Sequence, residues 1–366
     1  MNSRIPLVPP KIMSLETSSP RPLWSVMIPA YNCSRYLIQA IQSVLSQDPG
    51  PDNMQIEVVD DCSTDADIEK LVDIIGKGRV SYFRQRENIG SLRNFESCIN
   101  RARGHWVHIL HGDDQVKPGF YQEIERLFLQ FPQAGAAFTG HSVMNRDSVV
   151  QENSRKLSHR PCILDNWLYR IATAQRIQPP SIVVKREVYE NLGSFYAVHY
   201  GEDWEMWVRI AAHYPVAYSP RHLSLYRIHH TNISSESLLS GQSVLDIVQV
   251  IGLNAMHFPE EQRKKITSVA RRHCSRYFAF ASDKVYHQLN NPKRALELAR
   301  QARSLHLNLT TFLFVMKNHI KILLRYKYRD QMQRDGFHSA TESLSPYYPL
   351  LASPELKTEE KTSGSE

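Results

Sequence analysis

Short apolar runs alternate with segments of helical periodicity over the first 140 residues, and this alternation constrains the fold more than any other feature. A short apolar run is typical of a buried strand, whereas apolar side chains at three- and four-residue spacing indicate a helix. The predicted strands cover 24–28, 56–59, 80–83 and 106–110, and the predicted helices cover 36–46, 68–75, 92–102 and 119–131. This order predicts an α/β fold around a mostly parallel sheet.

The turns after these strands are the expected place for a ligand, because ligands of open α/β sheets bind outside the carboxyl ends of the strands. The four turns are Pro29-Ala30-Tyr31-Asn32, Asp60-Asp61, Asn88-Ile89-Gly90 and His111-Gly112-Asp113-Asp114. Three of the four are polar or acidic, so we expect them to face one cleft.

After residue 140 the chain is less regular, and it then becomes helical. We predict strands at 181–184 and 224–228, a helix at 204–212, and only helices from about residue 238 to residue 328. The end of the chain is rich in Ser, Pro, Glu and Lys, a composition typical of disorder. We therefore divide the chain into a flexible segment 1–22, an α/β domain 23–235, a basic helical region 236–330 and a disordered tail 331–366.

The net charge of +7 belongs to the C-terminal part of the chain. Residues 1–230 hold 25 Lys/Arg and 24 Asp/Glu, whereas residues 263–329 hold 16 Lys/Arg and only two acids. Such an excess indicates an anionic partner, either a membrane surface or nucleic acid. The near-neutral first 230 residues argue against nucleic-acid binding by the whole chain.

Several protein classes are excluded by what the sequence lacks. No stretch reaches the roughly 18 apolar residues of a membrane span, and the first twenty residues carry four prolines and no apolar core of a secretory signal. The five cysteines are scattered without a CxxC pair, which argues against disulfides and structural zinc and favours a reducing cytosol. No P-loop, GxGxxG, HExxH or GxSxG motif is present.

Three acidic pairs and one histidine are candidates for chemistry. Asp113-Asp114 follows a predicted strand, where paired carboxylates suit Mg²⁺ or Mn²⁺, although Asp is also common in a turn before a helix. Asp60-Asp61 has the same two interpretations. Glu202-Asp203 opens a predicted helix and either supplies a general base or complements the helix dipole. His229 is either a metal ligand or a structural residue.

Six short motifs occur in one order along residues 24–235. They are Ser25-Val26-Met27-Ile28-Pro29-Ala30-Tyr31-Asn32, Glu57-Val58-Val59-Asp60-Asp61-Cys62-Ser63-Thr64-Asp65, Asn88-Ile89-Gly90 with Arg93-Asn94, Leu110-His111-Gly112-Asp113-Asp114, Gly201-Glu202-Asp203-Trp204 and Tyr226-Arg227-Ile228-His229. Each motif is weak alone. Together and in this order they strongly resemble the family 2 glycosyltransferases of GT-A fold.

The resemblance implies a nucleotide-diphosphate sugar donor, a divalent cation (Mn²⁺ or Mg²⁺) and a role for each matching residue. Asp203 matches the catalytic base. Asp113, Asp114 and His229 match residues that hold the metal. The residues that match the nucleotide-sugar site are Pro29, Tyr31, Asn32, Asp60, Asp61, Asn88, Arg93, His111 and Asp113, with Asp61 matching the carboxylate that holds the base.

Two residues depart from the family pattern. His111 stands where the first Asp of the DXD element is usual, so the nucleotide contact of that Asp is altered, although an imidazole still hydrogen-bonds to ribose. Cys62 replaces a permissive turn glycine, so we expect the loop to sit slightly differently. Neither position belongs to the metal or base residues, so we expect an active enzyme.

The resemblance implies an inverting, metal-dependent transfer of a sugar to an acceptor hydroxyl. Asp203 takes the proton of the hydroxyl, and the cation neutralises charge on the leaving nucleoside diphosphate. The implied acceptor is a saccharide or lipid-linked saccharide in bacterial surface-polysaccharide or glycolipid assembly, and the implied location is cytoplasmic or peripheral on the inner face of the cell membrane. The alternatives are a nucleotidyltransferase acting on sugar phosphates, which leaves Glu202-Asp203 unexplained, and a non-enzymatic nucleic-acid-binding protein.

The predicted helix at 311–328 is amphipathic and basic. Its apolar face holds Phe312, Val315, Met316, Ile320 and Leu323, and a neighbouring basic stripe holds Lys317, Lys321 and Arg325. Such a helix either lies in the headgroup region of an anionic membrane or packs its apolar face on the α/β domain.

Overall fold

The computed structural model describes residues 4–15, 20–229, 237–238, 240–288, 290–324 and 326. The elements up to residue 130 are β1 (Trp24–Ala30), α1 (Ser34–Leu45), β2 (Met54–Asp60), α2 (Ile68–Gly76), β3 (Ser81–Arg84), α3 (Ser91–Arg101), β4 (Trp106–Ile109), β5 (Gln115–Val116) and α4 (Phe120–Gln130). The predicted strands and helices of this part are confirmed, with ends that differ by at most two residues.

The later elements are β6 (Ala136–Met144), β7 (Val150–Asn153), β8 (Cys162–Ile163), α5 (Trp167–Thr173), β9 (Ile182–Lys185), α6 (Arg186–Leu192), α7 (Glu202–His213), β10 (Val216–Arg227), α8 (Gln242–Ala255), α9 (Glu260–Gln288), α10 (Pro292–Leu305) and α11 (Leu309–Leu323). The predicted strand at β9 and the helix at α7 are confirmed, and so is the helical C-terminal region as far as the described residues extend. β10 begins at Val216 rather than at residue 224, and the sequence did not predict β5, β6, β7, β8, α5 or α6.

The strands form one mixed sheet in the order β3-β2-β1-β4-β9-β6-β10-β5, with β7 paired to β6 and β8 paired to β10. β1 pairs in parallel with β2 and with β4, and β2 pairs in parallel with β3. β9 is antiparallel to β4 and β6, while β10 is parallel to β6. The predicted α/β class is confirmed, and the carboxyl ends of β1, β2 and β4 meet at one edge.

β6 lies in the interior of the sheet, yet its sequence does not predict a strand. Its centre is Thr139-Gly140-His141-Ser142, which contains no apolar run, although all nine residues of β6 are buried. A side chain at Gly140 would meet the ring of His222, because a Cβ built there lies 2.8 Å from His222 Cδ2. Pattern rules look for apolar runs, so they miss a strand whose burial comes from its neighbours.

Two hydrophobic cores cover the two faces of the sheet. One core packs α1, α2 and α4 against the sheet. The other packs α3, α5, α6 and α7 and also includes the C-terminal helices, so that Trp204 of α7 and Phe278 of α9 belong to one core. The basic helical region therefore shares its apolar interior with the α/β domain.

Residues 4–15, part of the segment predicted to be flexible, run along the α/β domain. Ile12 is only 1% exposed and belongs to the core that holds α3 and α7. The anchoring hydrogen bonds join Ser194 N to Pro10 O, Ala197 N to Pro6 O and Arg186 Nη2 to Met13 O, at 2.8 Å each. Residues 1–3, 16–19 and the predicted tail 331–366 lie outside the described residues, so the domain boundaries stay predictions.

α11 turns most of its predicted apolar face to solvent. Of the five residues predicted on that face only Val315 is buried; Phe312, Met316, Ile320 and Leu323 are exposed. The predicted basic stripe is wrong at Lys321, which is buried with its Nζ 2.6 Å from Asp283 Oδ1, because this side of α11 faces α9, where Asp283 supplies the opposite charge. Arg325 lies outside the described residues.

Nothing in the described part of the chain is a helix of sufficient length and apolar character to span a membrane.

Two glycines provide a test of packing, because Gly104, between α3 and β4, lies against β1, whereas Gly252 lies on α8. A Cβ on Gly104 would overlap the backbone of Trp24 and lie 2.5 Å from Ser25 N, so we expect Gly104→Ala to destabilise the fold by about 2 kcal/mol through overpacking. Gly252, in the middle of α8, has nothing within 4 Å of its Cβ position, so we expect Gly252→Ala to stabilise by about 0.5–1 kcal/mol. Urea unfolding measures both, and equal effects would contradict the packing described.

Candidate active site

The turns after β1, β2 and β4 are held together by backbone hydrogen bonds. Asp61 N donates to Ala30 O at 2.8 Å, and Gly112 N donates to Pro29 O at 3.1 Å. The first bond joins the end of β2 to the end of β1, and the second joins the turn after β4 to the same strand. These three turns therefore lie at one edge of the sheet, as expected.

Asp61 is buried at the carboxyl end of β2, with its carboxylate fixed by three donors. Its Oδ1 accepts from Ile89 N at 2.8 Å, and its Oδ2 accepts from Gly90 N at 2.9 Å and from Asn88 Nδ2 at 3.0 Å. Burial raises the pKa of Asp61, while the two backbone N–H groups and then the charge of Arg4 act to lower it. The start of α3 and the end of β2 are joined through this one side chain.

Asp60 is wholly buried and its hydrogen bonds shape the turn after β2. Its carboxylate accepts from Arg84 Nη1 at 2.6 Å, from Tyr82 Oη at 2.9 Å and from Ser63 N at 3.0 Å. The neighbouring Cys62 has φ = +64°, a left-handed conformation that costs glycine less than any residue with a Cβ. A contact of Asp60 with a nucleotide stays a prediction.

Three other predicted nucleotide residues lie around the same edge. Tyr31 is half exposed, at 52%. Asn32 Oδ1 accepts from Thr64 N at 2.8 Å and so joins the turn after β1 to the turn after β2. Arg93, in the first turn of α3, pairs through Nη1 with Glu96 Oε2 at 2.7 Å. Their contacts with a nucleotide stay predictions.

His111, Asp113 and Asp114 form a cluster in which one donor atom of each lies within 4.8 Å of the others. The His111 ring stacks on Phe95, with centroids 5.1 Å apart and 8° between the planes. Burial lowers the pKa of His111, so its imidazole is neutral at pH 7 and able to act as a ligand. His229 Nε2 lies 2.8 Å from Asp113 Oδ2. All three residues predicted to hold a metal therefore lie together, with His111 beside them.

The carboxylate of Asp114 contains a buried oxygen that nothing in the described part of the chain satisfies. Its Oδ1 accepts from Arg227 N at 2.8 Å, while its Oδ2 is buried without a hydrogen-bond partner there. Burial, followed by the charge of Asp113, raises the pKa of Asp114 well above its usual range. A buried oxygen of this kind, next to a second carboxylate, fits a hard divalent cation.

The pKa of Asp113 shifts in the opposite direction to that of Asp114, although burial acts to raise both. The hydrogen bond from His229 and the charge of that ring outweigh burial, so the pKa of Asp113 is lowered. The pair therefore holds one readily ionised carboxylate and one that resists ionisation. A divalent cation would compensate the negative charge of both carboxylates, so both would be ionised and this difference would disappear.

Arg227, at the end of β10, is a buried cation directly behind the acid pair. Its Nε donates to Asp113 O at 2.7 Å, its Nη2 to Gln39 Oε1 at 2.7 Å and its Nη1 to Ser148 Oγ at 3.0 Å. The guanidinium carbon lies 4.5 Å from the centroid of the Tyr36 ring. This side chain joins β10, α1 and two loops, and it supplies positive charge next to the carboxylates.

Asp203 lies in the first turn of α7 and is only 6% exposed. Its Oδ2 accepts from Gln175 Nε2 at 2.9 Å, and its Oδ1 accepts from Trp204 N at 2.7 Å. Gly201, which precedes the helix, has φ = +91°, a conformation that any other residue adopts only with strain. The carboxylate predicted to be the base is thus held in place from two sides.

Asp203 and His111 line the same small cavity, so the predicted base lies next to the acidic cluster. Glu202 belongs to the same lining, and aromatic rings such as Phe95 and Trp207 form much of the wall. Burial, followed by the charge of Asp203, raises the pKa of Glu202 well above its usual range. Glu202 therefore keeps its proton to a higher pH than an exposed glutamate does, and the role of Asp203 as the base stays a prediction.

Two residues of this site were not predicted. Gln175 belongs to the irregular stretch before β9 and to no motif, so the sequence carries no signal for it. Arg227 belongs to the motif Tyr226-Arg227-Ile228-His229, so this motif is a sequence signal for it. The contact of Arg227 with the acid pair, however, spans more than 110 residues of chain.

Part of the chain matches a known protein family. Residues 25–193 match the family model for glycosyl transferase family 2. The putative teichuronic acid biosynthesis glycosyltransferase TuaG of Bacillus subtilis (strain 168) is 31% identical over 143 residues, which are 38% of this chain and 54% of that protein. The chain thus matches about half the length of this relative.

Two solved structures have a similar fold. The crystal structure of S. aureus TarS 1–349 in complex with UDP-GlcNAc has a TM-score of 0.56 at 13% identity, over 84% of this chain and 93% of that one. The mannosyltransferase PcManGT from Pyrobaculum calidifontis in complex with GDP-Man and Mn²⁺ has a TM-score of 0.51 at 18% identity, over 87% of this chain and 84% of that one. At these identities the likeness concerns the fold.

Residues 25–193 belong to glycosyltransferase family 2, and the chain that contains them is a glycosyltransferase with the GT-A fold. This membership decides against a nucleotidyltransferase and against a non-enzymatic nucleic-acid-binding protein.

The unsatisfied oxygen of Asp114 leads to a test by metal binding. In Asp114→Asn the charge is lost while Oδ1 still accepts from Arg227 N, so the metal-free variant should melt at or above the wild-type temperature. Mn²⁺ at about 100 times its dissociation constant should stabilise the wild type by about 2.7 kcal/mol and the variant by far less. Differential scanning fluorimetry with and without Mn²⁺ measures this.

The matched control is Asp52→Asn, because Asp52 is an exposed carboxylate in the turn before β2. It should keep the whole Mn²⁺ effect. Equal stabilisation of wild type and Asp114→Asn would mean that Asp114 holds no metal.

Proposed function

We propose that this enzyme transfers a sugar from a nucleotide-diphosphate sugar to an acceptor hydroxyl, with inversion and with a divalent cation. The single observation that carries the proposal is the shared cavity of Asp203 and His111, since it brings a candidate base next to a cluster of candidate metal ligands. A base alone or a metal site alone would not require both groups to line the same cavity.

The donor is proposed to bind at the edge formed by β1, β2 and the start of α3. Asp61 would accept a hydrogen bond from the base, because its carboxylate has an acceptor position left after three N–H donors. Tyr31, which immediately precedes Asn32 in the chain, offers an exposed aromatic ring. The solved structures with UDP-GlcNAc and with GDP-Man support a nucleotide sugar, and they leave the base open between uracil and guanine.

Asp113, Asp114 and His229 are proposed to hold the cation. Oxygen ligands with one imidazole suit Mn²⁺ or Mg²⁺, and the Mn²⁺ in the mannosyltransferase structure supports this choice. When bound, the ion acts as a Lewis acid toward the leaving diphosphate. Before any ion arrives, the backbone N–H of Arg227 holds the Asp114 carboxylate through Oδ1, and the Arg227 guanidinium holds the backbone carbonyl of Asp113.

Asp203 is proposed to remove the proton from the acceptor hydroxyl. Gln175 and the N–H of Trp204 orient its carboxylate, and the apolar wall around it limits access of water. One base and one leaving group on opposite sides of the sugar require a single displacement, which inverts the configuration at the anomeric carbon.

The acceptor is proposed to be a saccharide or lipid-linked saccharide used in polysaccharide or glycolipid assembly. The name of TuaG, a putative teichuronic acid biosynthesis glycosyltransferase, supports a surface polymer as the destination of the sugar. Acceptor specificity would come from residues 140–200 and from the C-terminal helices, which border the base through α5 and α7.

The catalytic proposal is tested by Asp203→Asn. A screen of UDP- and GDP-sugars for released nucleoside diphosphate first identifies the donor, and the variant is then compared with the wild type. Loss of a general base usually lowers the rate by about 10²–10⁴-fold, whereas the affinity for the nucleoside diphosphate should stay within about twofold because Asp203 lies on the acceptor side.

Two results would contradict this mechanism. Wild-type turnover by a folded Asp203→Asn enzyme would remove Asp203 as the base. Retention of anomeric configuration in the product, measured by proton NMR, would remove the single displacement. Glu187→Gln, on an exposed side chain of α6, serves as the control for loss of an acid elsewhere and should leave turnover unchanged.

We also propose that α11 lies on an anionic membrane surface. Leu309, Phe312, Leu313, Met316, Ile320, Leu323 and Leu324 are between 43% and 82% exposed. Lys317 on the same helix and Arg300 and Arg303 on the adjacent α10 are exposed too, and residues 263–329 hold 16 basic residues against two acids. Apolar side chains next to positive charge suit the headgroup region of anionic lipid.

Flotation with vesicles tests this surface. The wild type should float with vesicles that contain phosphatidylglycerol and much less with pure phosphatidylcholine, and 0.5 M salt should weaken binding, because each nearby Lys or Arg contributes about 1 kcal/mol at low salt. The triple variant Phe312→Ser, Met316→Ser, Ile320→Ser should lose flotation. Leu129→Ser, which removes an exposed leucine of α4, should not, and equal loss in both would contradict the proposal.

A further inference from the structure

Residues 4–15, here called the strap, lie outside the part of the chain that matches the family model, yet they reach the edge where the donor is proposed to bind. The strap is anchored by burial of Ile12 and by backbone hydrogen bonds to Ser194 and Ala197. Those two residues belong to the loop that carries Phe195 into the wall of the Asp203 cavity. The strap thus runs from the acceptor side of the site toward the nucleotide side.

At its N-terminal end the strap brings Arg4 onto Gly90. A Cβ built on Gly90 would lie 3.1 Å from Arg4 Nε and 3.4 Å from Arg4 Cβ, so the arginine covers the position where any larger residue would project. Gly90 N is also a donor to Asp61 Oδ2, at 2.9 Å. The Arg4 side chain is exposed to solvent, and its charge acts on Asp61.

Resting on the proposed function, we propose that the strap completes the pocket for the base and that Arg4 is a specificity residue whose guanidinium lies against the bound base. A guanidinium is planar, stacks on the π-face of a nucleobase and donates hydrogen bonds to ring carbonyl oxygens. Asp61 binds one edge of the base, and Arg4 covers it from the side of the strap. The ligand class is a pyrimidine or purine base that carries carbonyl oxygens.

The alternative for Arg4 is that it acts only as a general positive charge. A point charge would act mainly on the anionic diphosphate, whereas a stacked guanidinium acts mainly on the neutral base. The two roles therefore separate when a nucleotide is compared with inorganic diphosphate, which has no base.

The experiment is isothermal titration of the full chain in Mn²⁺ with UDP, GDP and inorganic diphosphate. For the nucleotide that the wild type binds more tightly, Arg4→Ala should weaken affinity about tenfold, the scale of one lost stacking contact, while affinity for inorganic diphosphate stays unchanged. Arg4→Lys, which keeps the charge without the planar group, should recover only part of the loss. Lys11→Ala removes an exposed charge from the same strap and should bind like the wild type.

Three results overturn the inference. Unchanged nucleotide affinity in Arg4→Ala overturns the role of Arg4 alone and leaves the proposed function standing. An equal loss for nucleotide and inorganic diphosphate means that Arg4 acts as a general charge. Failure of the wild type to bind either UDP or GDP in Mn²⁺ overturns the proposed function together with the strap. A melting temperature within about 2 °C of the wild type verifies that each variant is folded.

Discussion

The site depends on the burial of one positive charge, the guanidinium of Arg227, behind two carboxylates. An isolated charge in a protein interior is unfavourable by several kcal/mol, and it is tolerated only when hydrogen bonds and opposite charge surround it. Here the acceptors come from the turn after β4, from α1 and from the loop after β6. Because each of these segments must stay in place to satisfy Arg227, the acid pair is positioned without a metal.

The predicted base, Asp203, is held in place by other contacts than those of Arg227. Asp203 accepts from Gln175, which lies two residues after the end of α5, and α5 is itself held by α9 through a hydrogen bond from His273 Nδ1 to Thr173 O at 2.8 Å. The C-terminal helices therefore contribute to the geometry of the base although they contain no proposed catalytic residue. The core that they share with α7 supplies the apolar contacts for this support.

The acids of the site differ in their tendency to ionise, and their surroundings explain the difference. Burial acts on Asp113, Asp114 and Glu202 alike, but only Asp113 receives a hydrogen bond from His229, so its pKa is lowered while those of the other two are raised. In a medium of low dielectric constant, one partner is enough to reverse the direction of a shift. A second charge close by then determines which residue holds the proton.

The sequence by itself determined the α/β class, the four strand-end turns and the acids at 61, 113, 114 and 203, because these depend on local periodicity and on short motifs. It did not determine β6, whose polar centre is buried only by neighbouring strands, or Gln175, which no motif contains. The sequence also did not determine that the apolar face of α11 is exposed or that Lys321 is buried. Helical spacing does not reveal which side of α11 faces Asp283 of α9. Contacts between residues far apart in the chain, such as Arg4 on Gly90 and Arg227 on Asp114, were decided by the tertiary structure alone, because only the folded chain brings these segments together.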